Sequence, residues 1–245
     1  GRRINNDRLT RKGSGYTASH EPDVMIAADP WFVGVSLVYG PDGAVYSSDF
    51  SDTGECHHHI NTQKHTGRIF KIAYGKPKTW QGDLNKLSNE ELLKLNLHKN
   101  DWFVRHARRI LQERQGDTSA LVKTLKSDLP VPSRLRVLWA LHVSGHLNKS
   151  TLSILLNDPS EHIRAWAIQL LCETHKPGVA VCKKFAQLAK NDKSPLVRLY
   201  LASAMQRLSF SERIPILKRL VAHAEDVKDQ NLPLMYWYAA EPVVA

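Results

Sequence analysis

The chain has 245 residues, 42% of them hydrophobic, with 34 Lys and Arg against 24 Asp and Glu, and 3 Cys. That length and apolar content suffice for one large or two small packed units and exclude a disordered polymer, while so few cysteines exclude a disulfide-built scaffold. No stretch reaches the roughly 20 uninterrupted apolar residues of a spanning helix; the richest, Ile163 to Cys172, is broken by Arg164 and Gln169.

The opening Gly1-Arg2-Arg3-Ile4-Asn5-Asn6 is polar and has no apolar core behind its charges, so it reads as the interior of a longer protein rather than as a leader. Residues 1 to 75 hold 8 basic and 8 acidic residues, which leaves 26 basic and 16 acidic ones for the remainder. The whole excess of +10 therefore follows residue 75. Gly, Asp, Ser and short β-branched runs before that point give way to Leu, Ala, Lys and Arg after it. The expected organisation is a sheet-forming domain over 1–75, a linker over 76–89 entered through Gly75-Lys76-Pro77-Lys78, and helical repeats over 90–245.

In chain order, Asp23 to Ala28 is a candidate strand, and Val35 to Tyr39 and Ala44 to Ser48 flank the turn signal Gly40-Pro41-Asp42-Gly43 as a hairpin. Gly67 to Tyr74 alternates with period two and reads as a further strand. Such a meander resembles one blade of a β-propeller, and a lone blade cannot bury both its faces. Either more blades belong to the protein, or the sheet lies on the helical part.

The segment Asp49 to His59, with Cys56-His57-His58-His59, is dense in side chains that bind metals: imidazole and thiolate suit zinc or copper, and carboxylates suit calcium. Neighbouring residues on an extended backbone point different ways, however, so a polar surface loop whose His and Asp groups bond backbone is the competing reading. Asp49, Asp52, Glu55 and His57 are the candidates for cofactor or metal contact.

From Leu84 onward apolar residues recur at three and four, the period of amphipathic helices. An apolar residue followed by Arg and then a small Ala recurs at Arg105, Arg136, Arg164 and Arg198, at intervals of 31, 28 and 34 residues, which suits one helical hairpin per unit. Asn or Asp precedes three of these helices, at Asn100, Asp158 and Asp192, as a capping residue does. Trp102, Trp139 and Trp166 at successive helical positions read as core wedges. Cys172 and Cys182 flank the turn Thr174-His175-Lys176-Pro177-Gly178, and could either staple that hairpin as a disulfide or pack as small apolar thiols. The cations are dispersed along helices with no run of five, which disfavours nucleic acid as a partner.

The string Asp29-Pro30-Trp31-Phe32, Gly40-Pro41-Asp42-Gly43-Ala44-Val45-Tyr46, Asp49-Phe50, Gly54-Glu55-Cys56-His57 and Gly67-Arg68-Ile69-Phe70 resembles the close of a sugar-dehydrogenase-like propeller. With Asp101-Trp102-Phe103-Val104-Arg105-His106-Ala107-Arg108-Arg109 and Asn231 to Tyr238 it is similar to the membrane-bound dehydrogenase-like family of planctomycetes and verrucomicrobia, also described as haem-binding CxxCH proteins. The resemblance implies an α+β multidomain chain: the last part of a β-propeller over 1–75, followed by an α-solenoid of HEAT-like repeats. It also implies a periplasmic or secreted oxidoreductase that passes electrons from a sugar-like or other organic substrate to a c-type haem, with PQQ and calcium as further cofactors of the full-length parent and a downstream cytochrome c domain as partner. Neither Cys56, Cys172 nor Cys182 stands in a Cys-x-x-Cys-His motif, so no haem attaches to these residues and no complete active site is expected among them. The other functional class is a non-enzymatic helical-repeat module that binds another protein.

Overall fold

The computed structural model describes residues 2–50 and 65–244. They divide into two compact units, Gly1–Leu9 with Ala18–Arg114, and Thr10–Thr17 with Gln115–Ala245.

At the N-terminus, β1 (Arg3–Lys12) pairs with β2 (Gly15–Ile26) as a two-stranded sheet whose tip, Thr10–Thr17, is counted with the second unit. A separate antiparallel sheet runs in the order β3 (Gly34–Tyr39), β4 (Val45–Asp49), β5 (Arg68–Ile72). Its register places Leu37 beside Ser47 and Ser47 beside Phe70, with Tyr39, Val45 and Ile72 in the next row on the same face. The β3–β4 turn closes where Gly43 takes φ +79°, a left-handed conformation that costs glycine little. Gly40 N–H donates to the Ala44 carbonyl at 2.8 Å and the Asp42 carboxylate accepts from Ala44 N–H at 3.1 Å.

Two helices complete the first unit, α1 (Asn89–Leu95) and α2 (Asp101–Glu113). Helix α1 starts in a capping box: Ser88 Oγ accepts from Glu91 N–H while the Glu91 carboxylate accepts from Ser88 N–H. Leu84, Leu92, Phe103, Ala107, Ile110 and Leu111 form a buried cluster, against which Trp80 and Trp102 pack. The Trp80 and Trp102 rings meet edge to face at 5.3 Å, the arrangement their quadrupoles favour. The meander is tied to this cluster at the start of α2. Tyr39 O–H donates to Asp101 at 2.7 Å, and the Asn100 side chain, which caps α2 by accepting from Trp102 N–H, donates to the Gly40 carbonyl at 2.8 Å.

These sheets correct the expected partial β-propeller. A blade is one four-stranded sheet, whereas the described strands form sheets of two and three. The Asp23–Ala28 segment joins β1 instead of the meander, and Ala27 N–H continues that pairing to the Arg2 carbonyl at 2.8 Å. Pro30, which has no N–H to give to a ladder, follows at the break before β3. The dehydrogenase, electron-transfer and haem-binding identity inferred through the propeller loses its basis with it.

The second unit is built from helix pairs. A 3-10 segment, Ser119–Lys126, precedes α3 (Val131–Val143) and packs on it. The later pairs are α4 (Lys149–Leu155) with α5 (Glu161–Leu171), α6 (Val179–Asn191) with α7 (Pro195–Ala204), and α8 (Phe210–Leu220) with α9 (Leu232–Val244). Helices α3, α5, α7 and α9 each contact the next in that order, and α6 contacts α8, so the pairs stack in two layers. Ile163, Ala165, Ala167, Ile168, Leu170 and Leu171 of α5 are all buried, the alanines allowing neighbouring helices to approach closely. Trp139 of α3 and Trp166 of α5 meet edge to face at 5.0 Å. No helix among the described residues is long and apolar enough to cross a membrane.

Candidate functional site

Of the four residues expected to contact a cofactor or metal, Asp52, Glu55 and His57 lie outside the described residues. Asp49, at the end of β4, is 4% exposed and committed to its own sheet. Its carboxylate accepts from Val33 N–H at 2.8 Å and from Arg68 Nε at 2.7 Å, and the same guanidinium reaches Asp29 at 2.5 Å. The Trp31 backbone N–H, and after it Arg68, hold the Asp29 carboxyl below the usual carboxylate range. Phe32 and Phe70, with ring centroids 5.7 Å apart, and Arg68 over the Phe70 ring at 5.0 Å complete the cluster. Among the described residues no group of three or more His, Cys, Asp or Glu is arranged to hold a metal ion.

The second unit carries a ladder of ion pairs in which Arg134, Arg164 and Arg198 each reach one helix pair ahead of their own. Arg164 of α5 donates through Nε and Nη2 to Asp192, in the turn before α7, at 2.8 and 2.9 Å. Arg198 of α7 does the same to Asp226, before α9, at 2.7 and 2.5 Å. Arg134 of α3 donates to Asp158, before α5, at 3.1 Å through Nη1. Arg164 and Arg198 also donate to the carbonyls of Asp158 and Asp192, six residues back, at 2.8 and 3.0 Å. The aspartates work in both directions, since Asp158 and Asp192 accept the N–H groups of Ser160 and Ser194 at 2.9 and 3.0 Å. Asp158 and Asp192 thus each accept an N–H at the start of their own helix and receive the guanidinium of the preceding pair, a bidentate geometry that arginine's planar fork suits.

Arg164 and Arg198, two of the arginines expected at the repeat positions, both stand in these ion pairs. At the α3 position the ladder residue is Arg134, two residues before the expected Arg136. Arg105 lies in the first unit and forms an exposed i,i+4 pair with Asp101 at 3.3 Å, its guanidinium 5.8 Å from the Tyr39 ring centroid. Sequence reasoning missed the acceptors Asp158, Asp192 and Asp226 as partners. The signal was present, because Asp128/Arg134, Asp158/Arg164 and Asp192/Arg198 share one spacing.

The end of the ladder is the most buried part. Arg198 and Asp226 are 3% and 4% exposed, and Tyr236 O–H of α9 donates to the same carboxylate at 2.6 Å. Burial, and after it the bond to Asp226, pushes the Tyr236 phenol up from its ordinary pKa. Cys172 and Cys182 are buried free thiols. Burial raises Cys172 to about 12 and Cys182 to about 11, which makes both poor nucleophiles.

The N-terminal hairpin tip, Thr10–Thr17, belongs to this unit. Ser14 donates from N–H and Oγ to the two oxygens of Asp229 at 2.7 and 2.6 Å. Asp229 accepts also from the N–H groups of Asn231 and Leu232, which open α9. Burial opposes ionisation of Asp229, but the Ser14 hydroxyl and these amides together outweigh it and hold the carboxyl below its usual value.

No family model matches the chain, and no curated protein matches it. The seams of the second unit are closed by internal ion pairs, and its helix surfaces are left with grooves. One groove, of about 610 Å³, runs beside the Arg134–Asp158 pair and is lined by Leu125, Thr151 and Ile154. Another, of about 430 Å³, lies between α6 and α8.

Proposed function

We propose that this chain is a non-enzymatic helical-repeat module whose outer helix surfaces bind another protein. The observation that carries the reading is the ladder Arg134–Asp158, Arg164–Asp192 and Arg198–Asp226, in which the charges of the seams neutralise one another. A scaffold fixed in this way spends little conformational entropy when a partner docks, which favours a binding role.

The test is affinity capture on the full chain from its source cells after chemical crosslinking, with mass spectrometry of what is retained. The expected result is a partner held in stoichiometric amount without chemical change, and held less well by Asp192→Ala, which removes a rung. Failure of the wild-type chain to retain any partner, or turnover of a captured substrate by the chain alone, would overturn the reading.

A further inference from the structure

The groove between α6 and α8 joins apolar lining to positive charge. Val179, Ala186 and Pro215 line it, with Lys183 and Arg219 among the polar groups of its wall. Two turns beyond Lys183, Lys190 is exposed on α6, and Lys218 is exposed beside Arg219 on α8. Arg219 Nη1 donates to the Ala186 carbonyl at 2.7 Å, which pins its guanidinium across the two helices. Among the described residues, none of Lys183, Lys190 and Lys218 is in an ion pair. One carboxylate, Glu212, lines the groove, and it is engaged as the capping-box acceptor of Ser209 N–H and Oγ at 3.0 and 2.6 Å. Val179, at the start of α6, is 68% exposed.

From this juxtaposition we propose that the α6–α8 groove docks an acidic amphipathic segment of a partner protein. The apolar side chains of the segment lie on Val179, Ala186 and Pro215, and its carboxylates face Lys183, Lys190, Lys218 and Arg219. The proposal rests on the interaction-module reading above and gives it a surface and a charge. Charge complementarity selects the occupant: a cationic rim around an apolar trough attracts carboxylates, rejects basic segments and rewards an apolar face. Nucleic acid fits less well, because the groove lining holds no aromatic ring for base stacking.

The experiment measures fluorescence anisotropy of a labelled amphipathic peptide of Glu and Leu at helical spacing with the full-length chain. A peptide with every Glu replaced by Lys and a poly-thymidylate oligonucleotide run in parallel. The acidic peptide is expected to bind, and to bind more weakly as salt is raised. The double variant Lys183→Glu/Lys218→Glu, with unchanged circular dichroism, is expected to lose roughly tenfold in affinity. Absence of acidic-peptide binding, equal binding by the double variant, or tighter binding of the oligonucleotide with the same loss would overturn the proposal. If the variant still retains the partners captured by the wild-type chain, the docking site is wrong while the module reading stands. If the wild-type chain captures none, the module reading itself falls.

Discussion

At the scale of single residues, burial separates arginines that hold the structure together from those that decorate it. Asp226→Ala would leave Arg198 inside the protein with its principal partner removed, and losing one member of a buried pair costs about 3–5 kcal/mol. Urea unfolding of the full chain is expected to show that loss, whereas Arg105→Ala, whose side chain is 64% exposed, should cost less than about 1 kcal/mol. Equal effects would mean that the ladder is not what joins the helix pairs. The thiols supply a second test. With pKa values raised to about 12 and 11, Cys172 and Cys182 should resist iodoacetamide at neutral pH in the folded chain and react once it is unfolded, as peptide mapping would reveal. Because folding raises both values above the ordinary 9.0, their neutral forms favour the native state fully below about pH 9. That contribution is lost as pH climbs toward the folded values, so stability should fall across this alkaline range.

At the scale of elements, Asp229 caps one helix and anchors one turn with the same carboxylate. Its pKa is depressed in the folded state, so its contribution is complete above the ordinary value of 3.8 and disappears as pH falls through the lower folded one. The protection of residues 10–17 against hydrogen exchange, relative to the unfolded chain at the same pH, should therefore fall in acid. Asp229→Ala, which removes a cap as well, is expected to cost roughly 1–2 kcal/mol and to raise exchange there at neutral pH. Gly13 sits at φ +54°, and a Cβ on it would stand 2.1 Å from Asp229 Oδ2, so Gly13→Ala should free the same turn. Unchanged exchange in both variants would show that the tip is held by something else. None of this was legible beforehand. Arg3 to Lys12 alternates poorly and offered no apolar face, and Ser14 and Asp229 stand 215 positions apart. The α-helices were readable because their three-and-four spacing and their caps are local. Only Asp23 to Ile26 of the expected Asp23–Ala28 strand lie in β2, and its partner was not readable: pairing with β1 rather than β3 depends on which edge is reached across a turn.

At the scale of the whole molecule, a formal charge of +10 acts against compactness, since like charges repel across the surface. Added salt screens exposed cations such as Lys183, Lys190 and Lys218 more than it weakens buried ladder pairs. The thermal midpoint of the full chain is therefore expected to rise by about 2–4 °C between low and near-physiological ionic strength, and a fall would show that attractive surface pairs dominate instead. Short-range physics was enough for the sequence by itself to determine the change of texture near residue 75, the helical periodicity after it and the hairpin turn at Gly40 to Gly43. Propensity, capping and turn geometry each act within a few residues. Which strands share a sheet, which arginine of α3 enters the ladder, and what lies opposite Asp49, Asp192 and Asp229 were decided only by tertiary structure. Hydrogen bonds and ion pairs depend on distances between groups far apart in the chain, which no local pattern encodes.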